Sequence, residues 1–345
     1  MSLFRLPAFF TAALFALLLP ACAQPTPYQY FRLGNPTPVA GTPRPGFALM
    51  GGGKDLDEAF RWLCDRAGGG DLLVLRATGD DDYNPYIQKL CHLNSVATVV
   101  IPSRAAANDP FVAQKIHEAG ALFISGGDQS NYINFWMNSP IQVALNEAIH
   151  RGIPIGGTSA GLAVLGQYVY SAQGDKLDDP NLDSRTVLAD SINFRIKLET
   201  DFISIPVLSR IITDTHFAKR DRMGRLLVFL AHLCAGLAGD HGVFPRPPGF
   251  PIRGIGVDER SAILLEPTGE ARVIGTGRGA WFIDATEGHG TLGIEAPLNF
   301  GPYNVQHVAS GQSFNLKLWQ GDGTSYALQV DNGVVHSTQP NNSIY

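Results

Sequence analysis

The sequence predicts an α/β fold: a mostly parallel sheet flanked by helices, with a β-rich C-terminal part. Two observations carry this. Five short, wholly apolar runs alternate with stretches of helical spacing, the pattern of strands buried on both faces. Three glycine motifs, Met50-Gly-Gly-Gly53, Ser125-Gly-Gly-Asp-Gln129 and Gly157-Thr-Ser-Ala-Gly161, each follow one of those runs, and ligands of such sheets bind beyond the carboxyl ends of the strands.

Taken in order, residues 1–23 lie outside the fold as an export signal. Arg5 precedes the apolar run Ala8 to Leu19 and a cleavage-site pattern, Ala21-Cys22-Ala23. The run is too short to span a membrane. Leu19-Pro-Ala-Cys22 also resembles a lipoprotein box, so a lipid anchor at Cys22 is the alternative to simple cleavage, which the reading favours. Export places the chain in an oxidising compartment, where Cys64 and Cys91 could pair or remain buried thiols, with Cys234 in the core. Residues 24–46 hold six prolines and read as an extended, weakly ordered lead-in.

The strand Phe47 to Met50 opens the α/β domain, assigned to 47–290. A helix at Leu56 to Ala67 begins behind acidic residues, as a helix N-terminus prefers. The strand Asp71 to Leu75, a helix around Tyr86 to Leu93 and the strand Val96 to Ile101 follow. A helix at Pro110 to Ala119, the strand Ala121 to Ile124, a helix at Ile141 to His150 and the strand Ile153 to Ile155 complete the alternation. Beyond Gly166 the pattern loosens. Ser171 to Asp190 is polar and reads as an excursion, and order returns with Ile211 to His216 and an apolar helix to about Leu237. From Gly254 short β-like runs alternate with glycines. Residues 291–345 read as a β-rich extension packed on the same domain.

Composition narrows the function. With 345 residues, 45% of them hydrophobic, a sizeable core can form. A net charge of −5 gives no global attraction to nucleic acid or to an anionic membrane surface. Neither C-x-x-C nor H-E-x-x-H occurs, so no metal and no other cofactor is expected.

Gly157-Thr-Ser-Ala-Gly161 is a G-x-S-x-G turn, which lifts a nucleophilic hydroxyl clear of a sheet and tolerates no Cβ two positions to either side. Such a serine needs a base and oxyanion donors. Of nine histidines, His216 alone follows a strand end and precedes a polar cluster. The amides of Ala160 and of Gly126 or Gly127 are the natural donors. Lys219, Arg220, Arg222 and Arg225 crowd the start of a helix, where the dipole disfavours cations. Their placement suits the holding of carboxylates.

With these motifs in order, together with Asp214-Thr-His-Phe217 and Gly254-Ile-Gly-Val-Asp-Glu-Arg-Ser-Ala262, the chain resembles the cyanophycinase and dipeptidase E family of serine peptidases, peptidase family S51, from about Phe47 to Asp284. The resemblance implies a fold like that of class I glutamine amidotransferases. It also implies a triad of Ser159, His216 and Glu259 and a substrate-binding pocket shaped by Gln129, Asp214, Arg220, Arg222 and Arg225; Gly127 and Ala160 are the expected oxyanion donors. The implied activity is hydrolysis of β-aspartyl linkages in cyanophycin or β-aspartyl peptides, releasing β-Asp-Arg. The family has glutamine where this chain has Thr215. An α-aspartyl dipeptidase, a non-catalytic exported binding protein, and an esterase using His289, His307 or His336 are the alternatives. The sequence leaves a homodimer open.

Overall fold

The computed structural model describes residues 26–39, 41–175, 181–237 and 250–345. The export signal expected at 1–23 and the alternative anchor at Cys22 lie outside them. The lead-in differs from expectation: Gln29–Gly34 is a strand, β1, antiparallel to Ser95–Val100. All six prolines fall outside that run, so each of its residues can donate to a ladder, and it occupies the sheet edge.

The alternation then follows: β2 (Phe47–Met50), α1 (Asp57–Arg66), β3 (Asp71–Arg76), α2 (Tyr83–Leu90), β4 (Ser95–Val100), α3 (Arg104–Ala107), α4 (Pro110–Glu118), β5 (Ala121–Ile124), α5 (Gln129–Trp136), α6 (Pro140–His150) and β6 (Ile155–Thr158). Helix α2 starts earlier than Tyr86 because Pro85 sits in its first turn, where a missing N–H costs nothing. Strand β6 starts later than Ile153 because Pro154 has no N–H to give the ladder. Next come α7 (Ala160–Ala163), β7 (Tyr168–Tyr170), α8 (Ser184–Ala189), β8 (Leu198–Thr200), β9 (Ile211–Asp214) and α9 (Met223–Cys234). The chain ends in β10 (Arg253–Val257), β11 (Ser261–Leu265), β12 (Glu270–Gly275), β13 (Ala280–Asp284), β14 (His289–Gly293), β15 (Ala296–Val308), β16 (Ser313–Asn315), β17 (Gln320–Gly321), β18 (Thr324–Asp331) and β19 (Val334–Ser337).

Two sheets result. The first runs β1-β4-β3-β5-β6-β2-β11-β12-β16-β17, and its central five strands, β4-β3-β5-β6-β2, are parallel. The second runs β19-β18-β15-β13-β10-β9-β7-β8, with β14 paired to β15. This second sheet draws on both sides of the stretch read as an excursion. Strands β7 and β8 are three residues each, too short to show a period in sequence. The boundary expected between 290 and 291 falls inside β14, and the segment beyond it extends both sheets.

Side-chain alternation positions the layers. In β3, Leu72 and Val74 pack with Phe60, Leu63 and Ile87 of α1 and α2. Leu73 and Leu75 face the other way, into a core shared with α4 to α6 and with Val257 and Phe282 of the second sheet. The far face of that second sheet, with Ile212, Trp281 and Ile283, is covered by the apolar helix α9. The carboxyl ends of β2, β5, β6 and β9 therefore meet where the layers join.

A disulfide links Cys64 of α1 to Cys91 just beyond α2, 27 residues apart. Closing a loop of that length removes roughly 3 to 4 kcal/mol of unfolded-state entropy. Replacing both cysteines with alanine is expected to lower unfolding stability by about 2 to 4 kcal/mol, read as a fall in the denaturant midpoint.

Candidate active site

Strand β6 stops at Thr158, and Ser159 begins the next turn with φ 52° and ψ −120°, a conformation costing a non-glycine residue about 1 to 3 kcal/mol. The surroundings hold it there. Its amide donates to the Met50 carbonyl at 3.1 Å. A Cβ on Gly157 would lie 2.4 Å from the Gly161 carbonyl oxygen, and one on Gly161 would lie 2.1 Å from that of Ile124. Both glycines of the turn are thus required by backbone packing.

His216 follows β9, also with positive φ (48°), its amide bonded to the Gly51 carbonyl at 2.8 Å. Its Nε2 is 2.7 Å from Ser159 Oγ and its Nδ1 is 2.7 Å from Glu259 Oε1. Because a carboxylate faces Nδ1, the proton belongs there, leaving Nε2 to accept from the serine hydroxyl. Burial pushes the imidazole pKa down, Arg220 and Arg222 push the same way, and the bond to Glu259 opposes them. The histidine bond holds the Glu259 carboxyl below its ordinary range, with Arg220 and Lys219 adding to the effect.

The glycine run after β2 makes this assembly sterically possible. A Cβ on Gly51 would lie 2.1 Å from the Asp258 carbonyl oxygen, one on Gly52 2.5 Å from His216 Nε2, and one on Gly53 3.1 Å from Glu259 Cβ. Sequence reading singled out this motif without a role for each glycine. Gly52 makes room for His216, Gly53 for Glu259, and Gly51 for the backbone that leads into Glu259.

Gly126 lies against the serine, its would-be Cβ 3.4 Å from Ser159 Cβ, and Gly127 adopts φ +146° beside the same cavity. Tyr132, buried and with its pKa pushed up to about 12 by burial, donates to the carbonyls of Ser125 (2.9 Å) or Gly126 (3.1 Å). Fixing the Gly126 carbonyl also fixes the plane of the peptide that carries the Gly127 N–H. Ala160 is the first residue of α7, where amides have no intrahelical partner.

A cavity of about 400 Å³ opens at Ser159 and is lined by Gln129, Thr215, Arg220, Arg222 and Arg225. Asp128 and Asp175 also line it, but Asp175 is paired with Arg195 at 2.9 Å, so the arginines are in surplus. Arg225 makes a two-pronged pair with buried Asp214, Nε to Oδ2 at 2.8 Å and Nη2 to Oδ1 at 2.6 Å. Arg222 reaches the same carboxylate only at 3.4 Å and turns instead to the Thr215 carbonyl (2.9 Å), the Thr215 hydroxyl (3.2 Å) and Asn181 Oδ1 (3.1 Å). Burial, then the neighbouring Arg225, pushes Arg222 down to about 9, so it stays charged at neutral pH. Burial alone would raise Asp214; Arg225, then Arg222, hold it below the ordinary carboxylate range. Two buried guanidiniums share one carboxylate, and Arg220 adds a third cation at the rim, 4.0 Å from Glu259.

The sequence model of peptidase family S51 matches residues 48–192. A cyanophycinase of Geminocystis herdmanii is 25% identical over 281 residues, 78% of this chain and 90% of that protein. Over residues 48–192 the chain is similar to peptidase family S51, and the relatives it matches include cyanophycinases. A cyanophycinase of Synechococcus elongatus is 24% identical over 286 residues, 79% of each chain. A crystallised peptidase from an acI-B1 Actinobacterium aligns with a TM-score of 0.49 at 17% identity, covering 80% of this chain and 98% of that one.

Within this serine-type peptidase the expected site residues are placed unequally. Ser159, His216 and Glu259 form one hydrogen-bonded chain, and Gln129, Arg220, Arg222 and Arg225 line the cavity. Asp214 does not: it is buried behind the wall, where its pair with Arg225 holds the arginines that line the cavity. His289, His307 and His336 bond elsewhere or lie exposed, with His307 Nε2 at the Arg278 carbonyl. Asn134, Tyr170, Gln173, Asp175 and Asn181 also line the cavity and were missed. They come from α5, from the end of β7 and from the stretch read as an excursion, and no local pattern marks them.

Proposed function

We propose that this protein is an exported, cyanophycinase-like serine peptidase that hydrolyses β-aspartyl linkages and releases β-Asp-Arg. The observation that carries this reading is the surplus of buried positive charge beside Ser159. A buried cation without a full partner is costly, and a substrate carboxylate would supply the missing half of the pair. A β-linked Asp-Arg unit presents free carboxylates, and the S51 relatives matched include cyanophycinases. The Cys64–Cys91 disulfide supports an oxidising compartment, and with it export.

The chemistry is acyl transfer. Ser159 Oγ attacks the β-aspartyl carbonyl carbon while its proton passes to His216 Nε2, and Glu259 stabilises the imidazolium that forms. The Gly127 and Ala160 amides donate to the oxyanion. His216 then returns the proton to the leaving amine, and water, deprotonated by the same imidazole, hydrolyses the acyl-enzyme.

Only the neutral imidazole can act as base, and every cause but Glu259 lowers its pKa. The acid limb of kcat/KM is therefore expected below the ordinary histidine value of about 6.5, with activity lost as pH falls through it. A pH–rate profile checks this, and a limb above pH 7 would contradict it. The function itself is tested by incubating the protein with insoluble cyanophycin and with α- and β-linked Asp-Arg peptides, then identifying the products. Release of β-Asp-Arg supports the reading. Cleavage of the α-linked peptide alone would establish the dipeptidase alternative, and binding without product would leave a binding protein.

A further inference from the structure

The turn that carries Arg220 and Arg222 is held from outside the site by a residue more than a hundred positions away. Residues 338–345 leave β19 and cross the second sheet, tied by the Tyr326 hydroxyl donating to the Ile344 carbonyl at 2.9 Å. Tyr345 then enters beneath residues 217–223. Its ring stands edge-on to Trp281 and to Phe217, centroids 5.5 and 6.0 Å apart. Its hydroxyl accepts from the Met223 amide at 2.8 Å and donates to Asp221 Oδ1 at 3.1 Å, the Phe217 carbonyl being more distant at 3.5 Å.

Met223 is the first residue of α9, and the residue before it, Arg222, offers no side-chain cap. Three cations within six residues, Arg220, Arg222 and Arg225, oppose the positive end of that helix. Distant residues supply the capping acceptors instead: Ser184 Oγ takes the Arg225 amide at 3.1 Å, and the Tyr345 phenol takes the first amide, that of Met223. The same hydroxyl binds Asp221, which holds a positive φ of 49° between the two cavity arginines.

We propose that Tyr345 is a positioning residue for substrate recognition: by capping α9 and clamping Asp221 it fixes the turn that presents Arg220 and Arg222 to the substrate carboxylate. Tyr345 touches neither the cavity lining nor the Ser159–His216 pair, so its effect falls on binding. The substrate identity rests on the function proposed above; the mechanical role does not.

The test compares Tyr345→Phe, which keeps the ring and loses the hydroxyl, with the parent chain. Turnover of a β-Asp-Arg peptide should show KM raised about 5- to 10-fold, kcat within twofold and an unchanged acid limb. Calorimetry of β-Asp-Arg on Ser159→Ala, with and without Tyr345→Phe, should show the same loss of affinity without turnover. Amide hydrogen exchange over 217–225 should quicken, most at Met223, and this readout needs no substrate. Unchanged KM, affinity and exchange would overturn the proposal, as would a fall in kcat with a shifted acid limb. If the parent chain neither binds nor cleaves β-Asp-Arg, the substrate reading fails, and exchange at Met223 alone decides the role of Tyr345.

Discussion

Replacing Ser159 with alanine is expected to lower kcat on a β-aspartyl peptide by about 10⁴- to 10⁶-fold, the range seen when a triad nucleophile is removed. KM should change little, because Ser159 Oγ bonds His216 and the carboxylates are held by other residues. His216→Ala should cost about as much, since the two act as one unit, and the double variant should be barely worse than either alone. Steady-state rates on the three proteins check this. Multiplicative losses in the double variant would mean that Ser159 and His216 act independently, contrary to the 2.7 Å bond between them.

The largest effect on stability is expected at Asp214. Asp214→Asn would leave Arg222 and Arg225 buried with no carboxylate between them, and breaking a buried pair from one side costs about 3 to 5 kcal/mol. Arg225, fully buried and bonded through both Nε and Nη2, has no solvent-facing alternative. Chemical denaturation should show the loss directly. High concentrations of a dicarboxylate ligand should restore part of it by mass action, because the ligand supplies negative charge only to the folded state. A variant as stable as the parent chain would mean that the buried arginines do not depend on Asp214.

Particular residues show how far the sequence could be read. The parallel strands were legible because Leu72 to Leu75, Val99 to Ile101 and Ala121 to Ile124 are buried and read as unbroken apolar runs. Ser159 was legible because Gly157 and Gly161 record a steric demand within five residues. Glu259 was reached only through family resemblance, since nothing in a turn between two β-like runs distinguishes it from Asp258. The second sheet was not legible, because it gathers strands as short as three residues from segments far apart in the chain. Asp214 could be named but not placed. Its sequence context is that of a strand end near a histidine, and only the fold shows that α9 turns Arg225 back onto it. Tyr345 carries no local signal at all, since its partners at 217–223 are brought to it by the pairing of β18, β15, β13 and β10.

The central claim is that a serine nucleophile sits beside a surplus buried cation that selects a free carboxylate. Its most direct test measures kcat/KM on a β-Asp-Arg peptide and on the same peptide with its free carboxylates amidated. A hydrogen bond to a charged group contributes about 1.5 to 3 kcal/mol, so the amidated peptide should be cleaved roughly 10- to 150-fold less efficiently, with the loss diminished in Arg222→Met. Equal cleavage of the two peptides would contradict the claim.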